Sequence, residues 1–240
     1  MAKKQRLDKV LSNLGYGSRA EIKRDCKNGL VKVNGKVENN PGLQVDTDKD
    51  CIEFNGEIIE YKEFIYLMLN KPDGYISATF DKYDPIVLDL IDKKFLAFEP
   101  FPVGRLDKDT EGLLVLTNDG QLAHRVLSPK KHVPKTYFAE IDGVVTDNDI
   151  EAFKNGVVLD DGYKTMPAEL VILESGETSK IELTIHEGKF HQVKRMFESV
   201  DKKVTYLKRL SMGKLNLDKN LKLGEYRELT AEEVKLIEER

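Results

Sequence analysis

The spacing of apolar residues changes near residue 64. Before it, Leu7, Val10, Leu11 and Leu14 recur at helical spacing, and Gly15 can end that helix. Ser18 with Glu21 three residues on makes a capping box. The helix it starts turns Ile22 and Cys26 inward, keeps Lys23, Arg24 and Lys27 wet, and stops at Gly29. Val31-Lys32-Val33 and Val37 flank Asn34-Gly35 and read as a hairpin with a two-residue turn. Two short helices and a small sheet make a module of about sixty residues, a size marginal on its own. Residues 55–63, NGEIIEYKE, read as a linker, so the division expected is 1–60 and 61–240.

From Phe64 the pattern turns mainly to strands. FIYLMLN is one, Lys71-Pro72-Asp73-Gly74 a turn, and YISATF the next. Asp84-Pro85 can start a helix through Ile91. Leu113 to Leu116 form a short apolar run that ends at Asn118-Asp119-Gly120, the signature of a buried strand. A helix over 120–127, a strand over 135–141 and a helix from Thr146 to Gly156 follow. Residues 168–173 and 180–186 form a hairpin, 190–200 a helix, 204–210 a strand, and Thr230 with Glu233 caps a last helix. Many strands with few crossover helices predict an α+β fold with a mostly antiparallel sheet.

Charge sharpens the division. The net charge is −4, which taken whole argues against nucleic acid. Residues 1–36, however, carry ten Lys/Arg against three Asp/Glu, a net +7; the remainder holds 28 basic and 39 acidic groups, a net −11. A basic head on an acidic body suggests that the head meets a polyanion. No apolar run approaches a membrane span, and the basic N-terminus lacks the apolar stretch of a signal peptide. Cys26 and Cys51 have no metal-ligand spacing, so reduced thiols in a cytoplasmic protein are expected.

The stretch GRLDKDTEGLLVLTNDG, 104–120, mounts Arg105 and Asp107 on a loop held by the apolar strand. Three ordinary readings compete there. A calcium loop fails, because the twelfth position counted from Asp107 is Asn118 where a bidentate Glu is needed. Asp107 with Glu111 could be a glycosidase pair, although carboxylates so close in sequence usually mark a solvated loop. Arg105 and Asp107 could form a surface ion pair, worth little; spacing alone favours this last.

GRLDKDTEGLL resembles the catalytic-loop motif of the pseudouridine synthases, and the TNDG after it is similar to the branch acting on ribosomal RNA. YLMLNKPDGYISAT, HRVLSPKKHVPKTY, EGKFHQVKRMFE and LKLGEYRELT resemble the same family in the same order, so the resemblance spans nearly the whole chain. RLDKVL, SRAEI and VKVNG resemble the RNA-binding domain of the ribosomal protein S-four type. The resemblance implies an enzyme that breaks the bond from ribose to uracil, turns the base and rejoins the sugar through a base carbon. It needs no cofactor, and no metal is inferred: His186 and His191 are five apart and no cysteine joins them.

Site residues follow from the motif register. Asp107 matches the catalytic aspartate, as nucleophile or as base; Asp109 falls at a variable position. Tyr137 matches the tyrosine that stacks on uracil. Lys194 is assigned to the pocket, opposite Asp107, where many relatives have arginine. Arg105, Arg195 and Lys71 are expected to touch substrate, Arg105 on the same face as Asp107, Arg195 outside the pocket, and Lys71 at the turn it makes with Pro72. His191 and Gln192 are expected to shape the turn and backbone. Arg6, Ser18, Arg19, Lys23, Arg24, Lys27 and Lys32 are the expected RNA contacts of the head. His124, Arg125, Lys130, Lys131 and His132 make a basic stretch that suits either RNA or solvent.

Within the family, EGKFHQVKRMFESV resembles the small-subunit type; the large-subunit type typically carries asparagine and arginine ahead of the glutamine. The expected substrate is therefore the 516-type uridine of 16S ribosomal RNA, in the assembling small subunit, acted on by a monomer. A large-subunit (23S) synthase, a non-catalytic RNA-binding assembly factor and a glycosidic-bond hydrolase are the rivals.

Overall fold

The computed structural model describes residues 4–59 and 61–239. The chain forms two compact units, Met1–Ile65 with Asp92–Pro100, and Tyr66–Ile91 with Phe101–Arg240.

In the first unit β1 (Lys4–Arg6) leads into α1 (Leu7–Asn13), which buries Leu7, Val10 and Leu11 and is followed by Gly15 at φ +80°. The capping box of α2 (Arg19–Lys27) is present. Ser18 Oγ accepts from Glu21 N, and the Glu21 carboxylate accepts from Ser18 N at 2.8 Å. The inward Ile22 and Cys26 pack with the α1 residues and with Val31, Val45, Ile52 and Ile59. β2 (Val31–Val33) and β3 (Lys36–Val37) form the expected hairpin; Asn34 and Gly35 both take positive φ, as its turn demands. β4 (Gln44–Asp46) pairs with β1.

The linker reading of 55–63 is corrected here. β5 (Ile52–Phe54) and β6 (Glu57–Ile59) are a second hairpin, turning on Asn55 (φ 52°) and Gly56 (φ 87°). The Asn-Gly pair is thus a tight turn inside the module's sheet, order β3-β2-β5-β6, and Ile59 belongs to its core.

The second unit begins with β7 (Tyr66–Lys71); α3 (Lys93–Leu96) lies in the excursion that belongs to the first unit. Then come β8 (Phe101–Pro102), β9 (Glu111–Thr117), α4 (Gly120–Leu127), β10 (Lys135–Asp142), α5 (Asp147–Asn155), β11 (Glu169–Glu174) and β12 (Thr178–Ile185). α6 (Gln192–Glu198), β13 (Lys203–Met212), β14 (Leu215–Asn216), β15 (Tyr226–Glu228) and α7 (Ala231–Leu236) complete it. The sheet runs β11-β12-β10-β13-β9-β7-β15, with β8 on β9 and β14 on β13. Every pair is antiparallel except β13 with β9.

Central β9 explains its unbroken apolar run. Leu113 to Leu116 are all fully buried, so both faces of the strand are covered. Gly112 sits where β13 comes closest. Its φ is +102°, and an added Cβ would collide with the backbone oxygen and nitrogen of Arg209.

Two expectations fail between β7 and β8. YISATF is not a strand: it makes a single bridge, Ile76 to Ile86, and Ser77 Oγ is engaged with the Leu106 backbone. The segment after Asp84-Pro85 is one 3₁₀ turn, Val87–Leu90, and its first N–H, that of Val87, donates to Ile76 O.

Candidate active site

The loop 104–110 is held from beneath by β7 and the turn after it. Leu106 is buried, while Arg105 on one side and Asp107 on the other face out. Ser77 Oγ donates to Leu106 O (2.9 Å) and accepts from Leu106 N (3.0 Å). Thr110 N closes a turn on Asp107 O at 3.1 Å.

Lys71, expected to touch substrate, is corrected to a prop for this loop. It is fully buried, and Nζ donates to the carbonyls of Pro72 (2.9 Å), Lys108 (3.1 Å) and Thr110 (2.9 Å). An ammonium has three protons to give, and all three are given to backbone. Burial pushes its pKa down to about 8, partly countered by the charge of Asp73 and then the acids of the loop. The reading of Lys71 and Pro72 as fixing the turn stands.

Lys194 is brought to Asp107. On α6 its Nζ lies 3.4 Å from Asp107 Oδ2 and 2.6 Å from Asp109 Oδ1. Burial raises the Asp109 carboxyl, but the hydrogen bond and charge of Lys194 outweigh it and leave the group below its ordinary value. His191 completes the cluster, with Nε2 3.7 Å from Asp107 Oδ1. It precedes α6 in the left-handed region, φ 49°, which aims its ring at the aspartate. The sequence suggests only a backbone role for His191; its place as the αL N-cap of α6, directly before Gln192, is visible only in the fold. Gln192 does shape the turn: its amide accepts from Lys189 N (2.9 Å) and donates to Glu187 (2.8 Å).

Arg195, expected to meet substrate, is corrected. Its guanidinium pairs with Asp160 and with Asp161 at 2.7 Å, tying α6 to the loop after α5. Neighbouring helix positions diverge by about 100°, so only one of Lys194 and Arg195 can reach Asp107. Glu111 is also accounted for, because its carboxylate accepts from Tyr206 OH at 2.6 Å. The glycosidase pair therefore lacks its second free carboxylate.

Arg105 makes no hydrogen bond or ion pair among the described residues and lines the same small cavity as Asp107, Tyr137 and His191. The surface-pair reading of Arg105 with Asp107 thus fails. Tyr137 on β10 is 7% exposed and lines both this space and the cavity next to it. Beyond it lies an apolar cavity of about 320 Å³ lined by Val126, Met166, Tyr163, Lys135 and Arg209 among others. Asp107 does not line that cavity; it lines the open cleft of about 690 Å³ on the other side of Arg105. Arg209, 2% exposed, donates from Nε to Leu113 O (2.8 Å) and leaves Nη2 unpartnered. Burial, and then the Arg209 charge, push Lys135 down to about 8. Neither cation was singled out from the sequence, where each reads as an ordinary strand residue.

In the first unit the seven expected RNA contacts divide. Arg19, Lys23, Arg24 and Lys27 are exposed on α2 and carry no ion pair among the described residues. Arg6 is paired with Asp8 (2.7 Å) and Lys32 with Glu53 (3.2 Å). Ser18 is corrected: its hydroxyl accepts from Glu21 N and donates to Glu21 Oε2 (2.7 Å), so the cap uses it in both directions. In the basic stretch of the second unit, Arg125 is paired with Glu238 (2.6 Å).

Comparison with known proteins shows the family. Residues 65–199 match the RNA pseudouridylate synthase family, and residues 5–50 match the S4 domain. An RNA pseudouridine synthase of Bacillus subtilis, YtzG, whose role is uncharacterised, is 54% identical, with 98% of each chain covered. The ribosomal large subunit pseudouridine synthase B of the same organism is 43% identical, covering 96% of this chain and 94% of that one. The ribosomal small subunit pseudouridine synthase A of Yersinia pestis is 39% identical, covering 95% and 96%. A crystal structure of a pseudouridylate synthase superposes with a TM-score of 0.68 at 37% identity, covering 97% of this chain and 99% of that one. With the family matched across the whole Asp107 loop, Tyr137 and Lys194, and an S4 domain ahead of it, this chain belongs to the RNA pseudouridylate synthase family and is an RNA pseudouridine synthase.

Proposed function

We propose that this enzyme isomerises one uridine of 16S ribosomal RNA, presented in a partly folded small subunit, and that Asp107, Tyr137 and Lys194 carry the reaction. The observation behind the site assignment is the convergence of three elements: the Asp107 carboxylate, Lys194 Nζ 3.4 Å from it, and the Tyr137 ring on the wall of the same cavity. Asp107 supplies the carboxylate at the sugar, by attack on the anomeric carbon or by taking a ribose proton. Lys194 places a positive charge beside that carboxylate and holds it in position. Tyr137 offers a fixed ring for uracil to stack on once the base has left the RNA. The bond from ribose to the ring nitrogen breaks, the base turns, and a bond from ribose to a ring carbon forms; that carbon gives up its proton and the freed nitrogen takes one up. No atom is gained overall.

The 16S target rests on residues 187–198, which surround Asp107 through His191 and Lys194 and carry the histidine and lysine of the small-subunit type. A second reading, a 23S target, is favoured by the higher identity to the large-subunit relative, 43% against 39%. Mapping pseudouridines in both ribosomal RNAs, from cells with and without the gene, separates them. Loss of a 16S site alone supports the first reading; loss of a 23S site alone replaces it with the second.

A further inference from the structure

Phe190 is the anomaly at the rim of the site. Its side chain is among the largest apolar groups of the chain, yet it is 71% exposed. It is nevertheless ordered against a neighbour. Its ring stacks on His191, with centroids 3.7 Å apart and planes 18° from parallel. His191 is itself fixed at φ 49° at the start of α6, with Nε2 3.7 Å from the Asp107 carboxylate. Phe190 and His191 both line the open cleft of about 690 Å³, together with Arg105, Asp107 and Lys189. An exposed phenylalanine is therefore held flat beside the catalytic loop, and most of its surface is left to solvent among cations.

RNA gives such a ring an occupant. To reach Asp107 a uridine must leave its stack, and the nucleotides beside it then lose a stacking face. Aromatic side chains replace that face for any base, because every base has a π surface, while nearby cations follow the phosphates. Lys189 directly precedes Phe190 and lines the cleft with it, and Arg105 lines the cleft without an ion pair among the described residues. A purely packing role does not account for the residue, since packing would bury the ring rather than present it.

We propose that the Phe190–His191 stack is a platform for the nucleobase that adjoins the target uridine in single-stranded RNA. This deepens the proposed function by naming what the segment 187–198 touches, and it rests on that reading only for the identity of the RNA. Phe190 is a substrate-positioning residue outside the chemistry. The platform is built before RNA arrives, because the Phe190 ring already rests on His191 and His191 already faces Asp107.

The test uses a short oligouridine RNA with one central 2-aminopurine, whose fluorescence is quenched by stacking, titrated into the full-length protein. Wild type should quench the probe, and Phe190→Tyr should quench it equally. Phe190→Ala and Phe190→Leu should both lose the quench and bind about tenfold more weakly, the size expected for one base–aromatic stack. Leucine decides between stacking and bulk: it fills space but has no π face, so a quench retained with leucine overturns the proposal. An alanine variant that binds and quenches like wild type overturns it as well. Phe80, 79% exposed but outside the cleft lining, is the control. If Phe80→Ala removes the quench equally, the signal is not specific to the platform and the assignment is rejected. Pseudouridine mapping on partly assembled small subunits and on 23S RNA is run alongside. Wild type inactive on both would refute the proposed function while leaving the quenching result to decide the platform.

Discussion

On α2 of the first unit, Arg19, Lys23, Arg24 and Lys27 stand in solvent without a carboxylate partner among the described residues. In the second unit Lys71 is spent on three carbonyls, Arg195 on two aspartates and Lys194 on Asp107 and Asp109. The first arrangement suits a ligand whose charge matters more than its position. A mobile, unpaired cation can follow a phosphate at little geometric cost. The second arrangement suits chemistry, where a displacement of about 1 Å costs rate. The same residue types thus serve two ends, and pairing distinguishes them.

The largest expected effect is at Asp107. Asp107→Asn keeps the shape and removes the charge, so pseudouridine formation on ribosomal RNA should fall below detection while RNA affinity stays within a few-fold. Normal turnover from this variant would remove Asp107 from the chemistry and, with it, the contrast between placed and free charges.

Next comes the scaffold. Lys71→Met deletes a buried donor and orphans three carbonyls, which should destabilise the second unit by about 2–4 kcal/mol in denaturant titration. The titration also has a pH signature. The folded pKa of Lys71 is near 8, below the ordinary 10.5, so the unfolded chain holds this proton more tightly. Wild-type stability should therefore climb relative to Lys71→Met as pH rises from about 8 towards 10.5, by up to about 3 kcal/mol. A flat difference across that window would show that the carbonyl cage keeps the ammonium charged.

The head should respond differently. Changing Arg19, Lys23, Arg24 and Lys27 together to Gln should leave the fold intact, weaken RNA binding and flatten its salt dependence. The log–log slope should fall by about three if each cation meets a single-stranded phosphate. An unchanged slope would place the phosphate contacts on the other unit.

The smallest effect is at Asp109. Asp109→Asn frees Lys194 from its shorter contact, 2.6 Å, and leaves it the one to Asp107, 3.4 Å. Turnover should change only a few-fold in single-turnover assays, far less than in Asp107→Asn. A loss as deep as that of Asp107→Asn would mean that the two carboxylates act as a pair.

Much of the fold was legible because its signals are local. The boxes at Ser18, Thr146 and Thr230, the Asn34-Gly35 turn, α4 over 120–127 and the apolar run of β9 each depend on residues a few positions apart. The local reading failed where a distant partner decided the outcome. YISATF has strand composition, but Ser77 is held by Leu106 and no neighbouring strand is in place. The Asn55-Gly56 pair reads as part of a linker because 55–63 carries mixed charge, and only the pairing of β5 with β6 makes its flanks strands.

The site divides in the same way. Motif order points to the Asp107 loop and Tyr137, and it puts Lys194 rather than Arg195 beside Asp107, where the fold has it, since a motif is a local record of what the family's chemistry needs. Sequence could not say that Lys71 faces down into carbonyls, that Arg195 is already held by Asp160 and Asp161, or that His191 turns towards Asp107. Nor could it say why position 112 is glycine: the reason is the β13 backbone, which arrives almost a hundred residues later. What a side chain is depends on the sequence, and so does the turn or cap it makes with near neighbours. Whether its charge is spent on the protein or left for RNA is set by groups that only the folded chain brings within about 4 Å.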